Sequence, residues 1–183
     1  MDIKETIKES YISLVVEKKT IKISVKEIVE RAQISRRSFY NYFPDRQAIT
    51  EYIYIDTIEK TIKECFEKKY TTEMFITEVY RCFLEDKDFF VLAMNEDGQN
   101  SLTETIIERS QIVFSHLFRD IIFDKVRLEY LSYKYASSQV LLIQKWVKGG
   151  MKESPEFMTE VYLDSHTFYE DQHESIISKN TNW

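Results

Sequence analysis

The chain has 183 residues, of which 43% are hydrophobic, and its formal net charge at pH 7 is −6. With only 3 Gly and 2 Pro it has few positions for tight strand turns, so the composition favours an all-α fold. The longest run without a charged residue, Tyr135 to Gln144, is far shorter than the roughly 20 residues that span a bilayer. The N-terminus also lacks the apolar segment of a signal peptide. We therefore expect a cytoplasmic protein with no membrane partner.

The cysteine and histidine patterns predict no disulfide, metal site or cofactor. Cys65 and Cys82 belong to no Cys-x-x-Cys motif or Cys/His cluster, and we interpret both as core thiols. His166 and His173 lie two turns apart on one predicted helix, whereas a chelating pair needs one turn, and His116 lies on another helix. Since no Ser/His/Asp pattern or phosphate-binding Gly loop occurs either, we predict no catalytic residue.

In chain order, the first predicted helix spans residues 3–19, and the next two form a tight helical pair within residues 24–46. The signals for the pair are, in order, a capping box of Ser24 and Glu27, a turn at Gln33 and Ile34, a cap at Ser35 and a stop at Pro44. The first helix is expected to pack over this pair, which gives a headpiece of three helices.

The second helix of the pair has two chemically different faces. Phe39 and Phe43, four residues apart, are predicted to face the core. The cationic and hydroxyl-bearing side chains are predicted to face outward: Arg36, Arg37, Ser38, Tyr40 and Tyr42. This arrangement is typical of a helix that enters the major groove of DNA. An ordinary solvated face with half-buried aromatic rings is the alternative.

Charge is divided unevenly along the chain. Residues 1–50 carry 10 Lys/Arg against 7 Asp/Glu, a net charge of +3, whereas residues 51–183 carry 15 against 24, a net charge of −9. Phosphate binding needs a basic face rather than a basic protein, and an acidic body helps to turn the basic end toward DNA.

The headpiece also resembles a known family. Its pattern Ser-x-x-x-Ile-x-x-x-Ala, followed by Ile-Ser-x-x-Ser-Phe-Tyr-x-Tyr-Phe-Pro-x-Arg, is similar to the DNA-binding signature of the TetR (tetracycline-repressor) family. The resemblance implies a DNA-binding domain over residues 1–46 and a helical effector-binding and dimerisation domain over residues 47–183. At Gln33 the family usually has Gly, which reaches positive φ easily. A weaker resemblance, in residues 146–150 and 154–156, is to regulators of dihydroxyacetone kinase genes.

The predicted DNA contacts divide into two kinds. Arg36 and Arg37 lie in the first turn of their helix, where a guanidinium group can bind guanine O6 and N7, and Tyr40 could pack against a thymine methyl. Hydroxyl groups and flanking cations would bind phosphates, and the family places its contacts at these positions. The complete predicted set is Lys26, Ser35, Arg36, Arg37, Ser38, Tyr40, Tyr42 and Arg46.

The remainder of the chain is predicted to be a helical body. After Pro44, Asp45 caps a long helix to about residue 69, which links headpiece to body and is the natural transmission element. The other predicted features are helices over residues 71–85, 89–94, 101–123 and 125–148, a break at Asp97-Gly98, an αL cap at Gly149-Gly150, and a last helix from Ser154-Pro155 to about Ser175.

The helix over residues 125–148 bears on oligomeric state. Its apolar residues point in more directions than one stripe covers, which predicts burial on two sides: Val140, Leu141, Leu142, Ile143, Trp146 and Val147. One side would meet the body and the other a second copy. Phe157, Val161, Tyr162 and Phe168 would complete a four-helix interface of the kind that the family uses. The alternative is a core helix in a monomer.

Abundant aromatic residues in the body are predicted to be mainly core and partly the wall of an apolar ligand pocket: Phe75, Tyr80, Phe83, Phe89, Phe90, Phe114 and Phe118. Three functional hypotheses follow. The first is a homodimeric transcriptional regulator that binds a pseudo-palindromic operator and responds to a small ligand. It would be a repressor, since repression is the usual outcome in the family that it resembles. The second is a regulator or activator of the same fold that a protein partner controls. The third is a helical adaptor or enzyme.

Overall fold

The computed structural model describes residues 2–95 and 101–172, with side chains described as far as Asp164. Several predicted features lie outside the described residues: the break at Asp97-Gly98, the side chains of His166 and Phe168, His173, and the helix end near Ser175. Within the described ranges the regular elements are helices and none is a strand, which confirms the all-α prediction.

The helices follow one another with short connections. In chain order they are α1 (Ile3–Lys18), α2 (Val25–Ala32), α3 (Arg36–Tyr40), α4 (Arg46–Tyr54), a π-helical segment (Ile55–Glu59), α5 (Lys60–Glu67), α6 (Thr72–Glu85), α7 (Lys87–Ala93), α8 (Leu102–Phe118), α9 (Lys125–Lys148) and α10 (Pro155–Gln172). In the part of the chain that the structure describes, no helix is both long enough and apolar enough to cross a bilayer.

Helix α1 joins the N-terminal helices to the body. It packs against α2 and α4 on one side and against α7 on the other. Ile7 and Tyr11 of this helix are inaccessible to solvent together with Ile28 of α2 and Phe39 of α3. The headpiece core is therefore continuous with the core of the body.

The helix that follows Pro44 differs from the prediction. Residues 46–67 are helical without interruption, but the turn at Ile55–Glu59 is π-helical, so the predicted uniform helix is wrong at this point. The two ion pairs of this turn run to different helices. Asp56 binds Lys8 of α1 at 2.6 Å, and Glu59 binds Arg109 of α8 at 2.7 Å. Such long-range contacts leave no signal in the local sequence.

The body is built around the pair α8 and α9. The pair is antiparallel, since hydrogen bonds join Ser115 to Ser132 at 2.9 Å and Gln144 to Thr103 at 2.8 Å. Helix α10 packs against α6, and α6 and α7 cover the remaining core. On α9, the side chains of Val140 and Trp146 are buried within this arrangement.

Three helix ends differ from those predicted. Helix α3 ends at Tyr40 rather than near Pro44, because the amide of Tyr42 turns to bind the carbonyl of Phe39 at 2.9 Å. Helix α8 ends at Phe118 rather than Phe123, because the amide of Ile121 turns to bind the carbonyl of Phe118 at 3.0 Å. Of the predicted αL pair, Gly149 is αR and only Gly150 has a positive φ, of 85°.

The capping box at the start of α2 is present as predicted. The amide of Glu27 donates to the Ser24 hydroxyl at 3.3 Å, and the Ser24 amide donates to the Glu27 carboxylate at 2.7 Å. Lys18, at the end of α1, also binds this carboxylate. The hydrogen bond from Lys18 and those from Ser24 lower the pKa of Glu27 to about 2. The carboxylate therefore fastens α1 to the first turn of α2 while it is ionised.

This arrangement predicts a specific loss of stability in acid. The folded-state pKa of Glu27 is depressed, so its contribution is complete above its ordinary value of 4.5 and is lost as the pH falls toward 2. Chemical unfolding of wild type and Glu27→Gln, followed by circular dichroism, should show a difference in stability at pH 7 that shrinks steadily below pH 4.5. Introducing Lys18→Met into both proteins should make that difference less dependent on pH. A difference that stays constant down to pH 3 would contradict the assignment.

Candidate DNA-reading surface and body cavity

The predicted recognition helix is α3, and its start is defined by a side-chain cap. Ser35 has extended backbone, and its hydroxyl accepts the amide of Ser38 at 3.0 Å. Arg36 and Arg37 follow at once, so both lie in the first turn, and both are exposed. This is the end of a recognition helix that contacts base edges.

Two buried rings fix the orientation of α3. Phe39 and Phe43 are 0% and 3% exposed, as their spacing predicts, whereas Tyr40 and Tyr42 are 55% and 42% exposed. The ring of Phe39 contacts that of Tyr40 edge-on, with 5.3 Å between centroids. Tyr42 lies just beyond the helix end, between the buried rings of Phe39 and Phe43 in the chain, so its exposure does not follow from helical spacing.

Most basic side chains of the headpiece are occupied by other headpiece groups. Lys18 binds Glu27, and Arg31 binds Glu17 at 2.6 Å and Ser13 at 2.9 Å. In contrast, neither Arg36 nor Arg37 forms an ion pair with any of the described residues. The fold thus leaves these two cations without a structural role and presents them on the outer surface.

The two predicted flanking cations are placed differently from these arginines. Lys26 is exposed on α2, 3.8 Å from Glu30, in a surface pair that contributes little to stability. Arg46 donates from Nη1 to the carbonyl of Ile21, which ties the start of α4 to the segment before α2. The structure therefore gives Arg46 a role within the headpiece, and its phosphate contact stays a prediction.

The turn between α2 and α3 has the geometry that favours Gly. Gln33 adopts φ 54° and ψ 42°, in the left-handed region. The amide of Ile34 binds the carbonyl of Val29 at 3.1 Å across this turn. The turn therefore forms without Gly, at the conformational cost that a Cβ atom brings there.

The body contains a large cavity of about 870 Å³, bounded by residues of α4, the π-helical segment, α5, α6, α8, α9 and α10. Its wall is mainly apolar and aromatic, and includes Ile58, Phe66, Phe75, Phe83 and Phe114. Three of the predicted aromatic residues are thus on the wall, whereas Tyr80, Phe89 and Phe90 are buried in the core. Tyr162, predicted for a subunit interface, also lines the cavity.

The wall of the cavity includes the helix that leads to the headpiece. Tyr54, Ile58 and Glu59 all line it. Tyr54 is buried, and burial raises the pKa of its hydroxyl although a hydrogen bond donated by Ser110 acts in the opposite direction. The Glu59–Arg109 ion pair lies on the same wall and is partly exposed. The sequence did not identify this pair, since its members are 50 residues apart.

Family comparisons agree with this architecture. Residues 21–53 match the family described as bacterial regulatory proteins, tetR family, and residues 70–164 match the transcriptional regulator C-terminal region. The second match alone covers more than half of the chain. The chain belongs to the TetR family. It is therefore a transcriptional regulator with a DNA-binding helix-turn-helix, and the predicted TetR-like fold is confirmed.

Solved structures show the same fold at low identity. A TetR transcriptional regulator from Streptococcus agalactiae 2603V is 20% identical, with a TM-score of 0.65, over 89% of this chain and 92% of that one. A putative TetR-family regulator from Syntrophomonas wolfei str. Goettingen is 18% identical, with a TM-score of 0.65, over 91% and 93%. The dihydroxyacetone kinase operon activator DhaS is 16% identical, with a TM-score of 0.64, over 91% and 95%. No curated protein sequence matches the chain significantly.

The left-handed turn yields a stability prediction. Gln33→Gly should stabilise the protein by about 0.5–1 kcal/mol. Glycine has no Cβ atom, so the substitution removes the αL strain, and this gain exceeds the extra backbone entropy that glycine loses on folding. Gln33→Ala retains the Cβ atom and is the matched control, with little change expected. Thermal and urea unfolding of the three proteins would decide. A Gly variant that is less stable than Gln33→Ala would contradict the strain argument.

Proposed function

We propose that this TetR-family protein binds a pseudo-palindromic DNA operator as a homodimer and that a small molecule in the body cavity changes its affinity. The observation that carries the DNA-binding part is the exposed first turn of α3. There Arg36 and Arg37 are presented without partners among the described residues, on a helix whose opposite face is anchored in the core. Guanidinium groups so placed bind guanine bidentately.

The remaining predicted contacts belong to the phosphate-binding part of this proposal. Tyr40 and Tyr42 are exposed beside the arginines, and their hydroxyls would donate to the DNA backbone. Lys26 lies on the same headpiece and would bind a phosphate in place of its surface pair with Glu30. We accordingly assign residues 1–46 to DNA binding and residues 47–183 to dimerisation and effector binding, in a cytoplasmic protein.

The outer face of α9 supports the dimer. Val126, Tyr130, Tyr133 and Leu141 are 62%, 71%, 53% and 52% exposed, at spacings that return to one side of the helix. Phe157 of α10 is 51% exposed as well. Large exposed side chains gathered on one side of a helix are typical of an interface. A two-fold axis through it would present two α3 helices to one duplex.

The cavity supports a small effector, and the path from cavity to headpiece is short. Tyr54 and Glu59 line the cavity, while Asp56, between them, pairs with Lys8 of α1. A ligand that moves the cavity wall would therefore move the helix that holds α1. The displacement would reach α3 through the packing of α1 against α2.

A second candidate is control by a protein partner, which the exposed apolar residues between α8 and α9 favour. Ile121 and Phe123 there are 74% and 87% exposed. One structural neighbour is described as an activator of a dihydroxyacetone kinase operon, so either sign of regulation fits the fold. Capture of lysate proteins on the purified protein, compared with Phe123→Ser, would separate this candidate from control by a small molecule.

Sequencing the genomic DNA fragments that the purified protein captures tests the proposal directly. We expect an inverted repeat, and on that site Arg36→Ala should cost on the order of 1 to 3 kcal/mol, or about 5- to 150-fold in Kd. Arg119→Ala, which removes an exposed guanidinium from the body, is the control and should bind as wild type does. Gel shifts at fixed salt are the measurement. Equal affinities for the two variants would refute the assignment of Arg36 to base reading.

A further inference from the structure

Arg109 places a guanidinium group on the wall of the apolar cavity. This residue of α8 lines the cavity with a side chain that is 38% exposed, so a ligand can reach it. Its Nη1 donates to Glu59 at 2.7 Å, and among the described residues its other N–H donors have no partner. A guanidinium group has five N–H donors in a planar fork, and the ion pair with Glu59 uses only one of its nitrogens, Nη1.

The other charged residues around the cavity leave a positive balance. The lining cations are Lys63, Lys69 and Arg109, against Glu59 and Glu67. Lys63 lies 4.0 Å from Glu67, and Arg109 is paired with Glu59. This excess of positive charge disfavours a cationic ligand. A wholly apolar ligand is disfavoured as well, because it would remove water from the unpartnered donors of Arg109 and offer them no hydrogen bond in return.

We propose that the effector is an apolar monocarboxylate whose carboxylate binds Arg109 while its hydrocarbon part fills the aromatic cavity. An arginine and a carboxylate form two parallel N–H···O bonds, and such charge-assisted pairs are stronger than hydrogen bonds between neutral groups. The inference rests on the proposed function, since it takes the cavity as the effector site. A straight acyl chain and a fused aromatic ring would both fit this chemistry.

The same contact defines a mode of regulation. A bound carboxylate on the free donors of Arg109 shares the guanidinium with Glu59, and so weakens the ion pair that holds the π-helical segment to α8. The adjacent pair of Asp56 and Lys8 fastens that segment to α1. Binding would therefore weaken the attachment of the linking helix to the body and leave its attachment to the headpiece in place.

Titration calorimetry with matched probes tests the inference. Decanoate and 2-naphthoate are compared with decanamide and 2-naphthamide, which keep the shape but lack the charge, and with decylammonium, which reverses it. We expect the wild-type protein to bind at least one acid about tenfold or more tightly than its amide, and Arg109→Gln to lose that preference. Glu59→Gln, which removes the competing carboxylate, should bind the acid as tightly or more tightly. Arg119→Gln, outside the cavity, is the control and should bind as wild type does.

The two charge variants separate ligand recognition from a structural role. If the ion pair only supports the fold, Arg109→Gln and Glu59→Gln will weaken binding alike, and the inference is overturned. It is also overturned if the amides bind as tightly as the acids, if decylammonium binds more tightly, or if neither acid binds. Which acid binds decides between acyl chains and aromatic rings. These measurements use no DNA and therefore test only the ligand. Failure of the operator capture would refute the proposed DNA-binding function, and failure of the calorimetry would refute only the carboxylate inference.

Discussion

The buried hydroxyl of Tyr11 is the constraint on which the relation between headpiece and body depends. The Tyr11 side chain is inaccessible to solvent, and its hydroxyl lies 3.2 Å from the carbonyl of Ile21 and 3.1 Å from the hydroxyl of Thr50. Its ring also meets that of Phe89 edge-on, at 6.1 Å between centroids. A buried hydroxyl is costly without partners, so α1 must keep its place relative to both α4 and the segment before α2. This one side chain therefore holds α1 to α4, to the segment before α2 and, through Phe89, to α7 of the body.

The π-helical turn solves a geometric problem that this arrangement creates. In an α-helix, residues three apart lie on nearly the same face, so Asp56 and Glu59 would point toward one neighbour. A π-helical turn holds more residues, and three residues then cover a smaller part of a full rotation. The two carboxylates consequently diverge, and one reaches Lys8 of α1 while the other reaches Arg109 of α8. The turn lets a single helix attach to headpiece and body at once.

What could be predicted from the sequence was what short-range hydrogen bonds decide. The caps at Ser24 and Asp45 each accept the amide three residues further on, so the sequence alone located the starts of their helices. The alternation of Phe39 and Phe43 with exposed residues also needs no distant partner. The π-helical turn and the members of the cavity wall other than Phe75, Phe83 and Phe114 were missed, because each depends on residues brought together only by folding. The Glu59–Arg109 contact, which spans 50 positions, is the clearest case.

Net charge was a weaker guide to function than the accounting of individual partners. The headpiece excess of +3 includes Lys18, Arg31 and Arg46, which the structure uses to bind other segments of the headpiece. Counting charges therefore overstates the cations available to DNA. Within the headpiece, the guanidinium groups that have no partner among the described residues are those of Arg36 and Arg37, and on the cavity wall Arg109 has spare donors. Because a folded chain satisfies most of its own polar groups, those that it presents without partners are the ones available to a ligand.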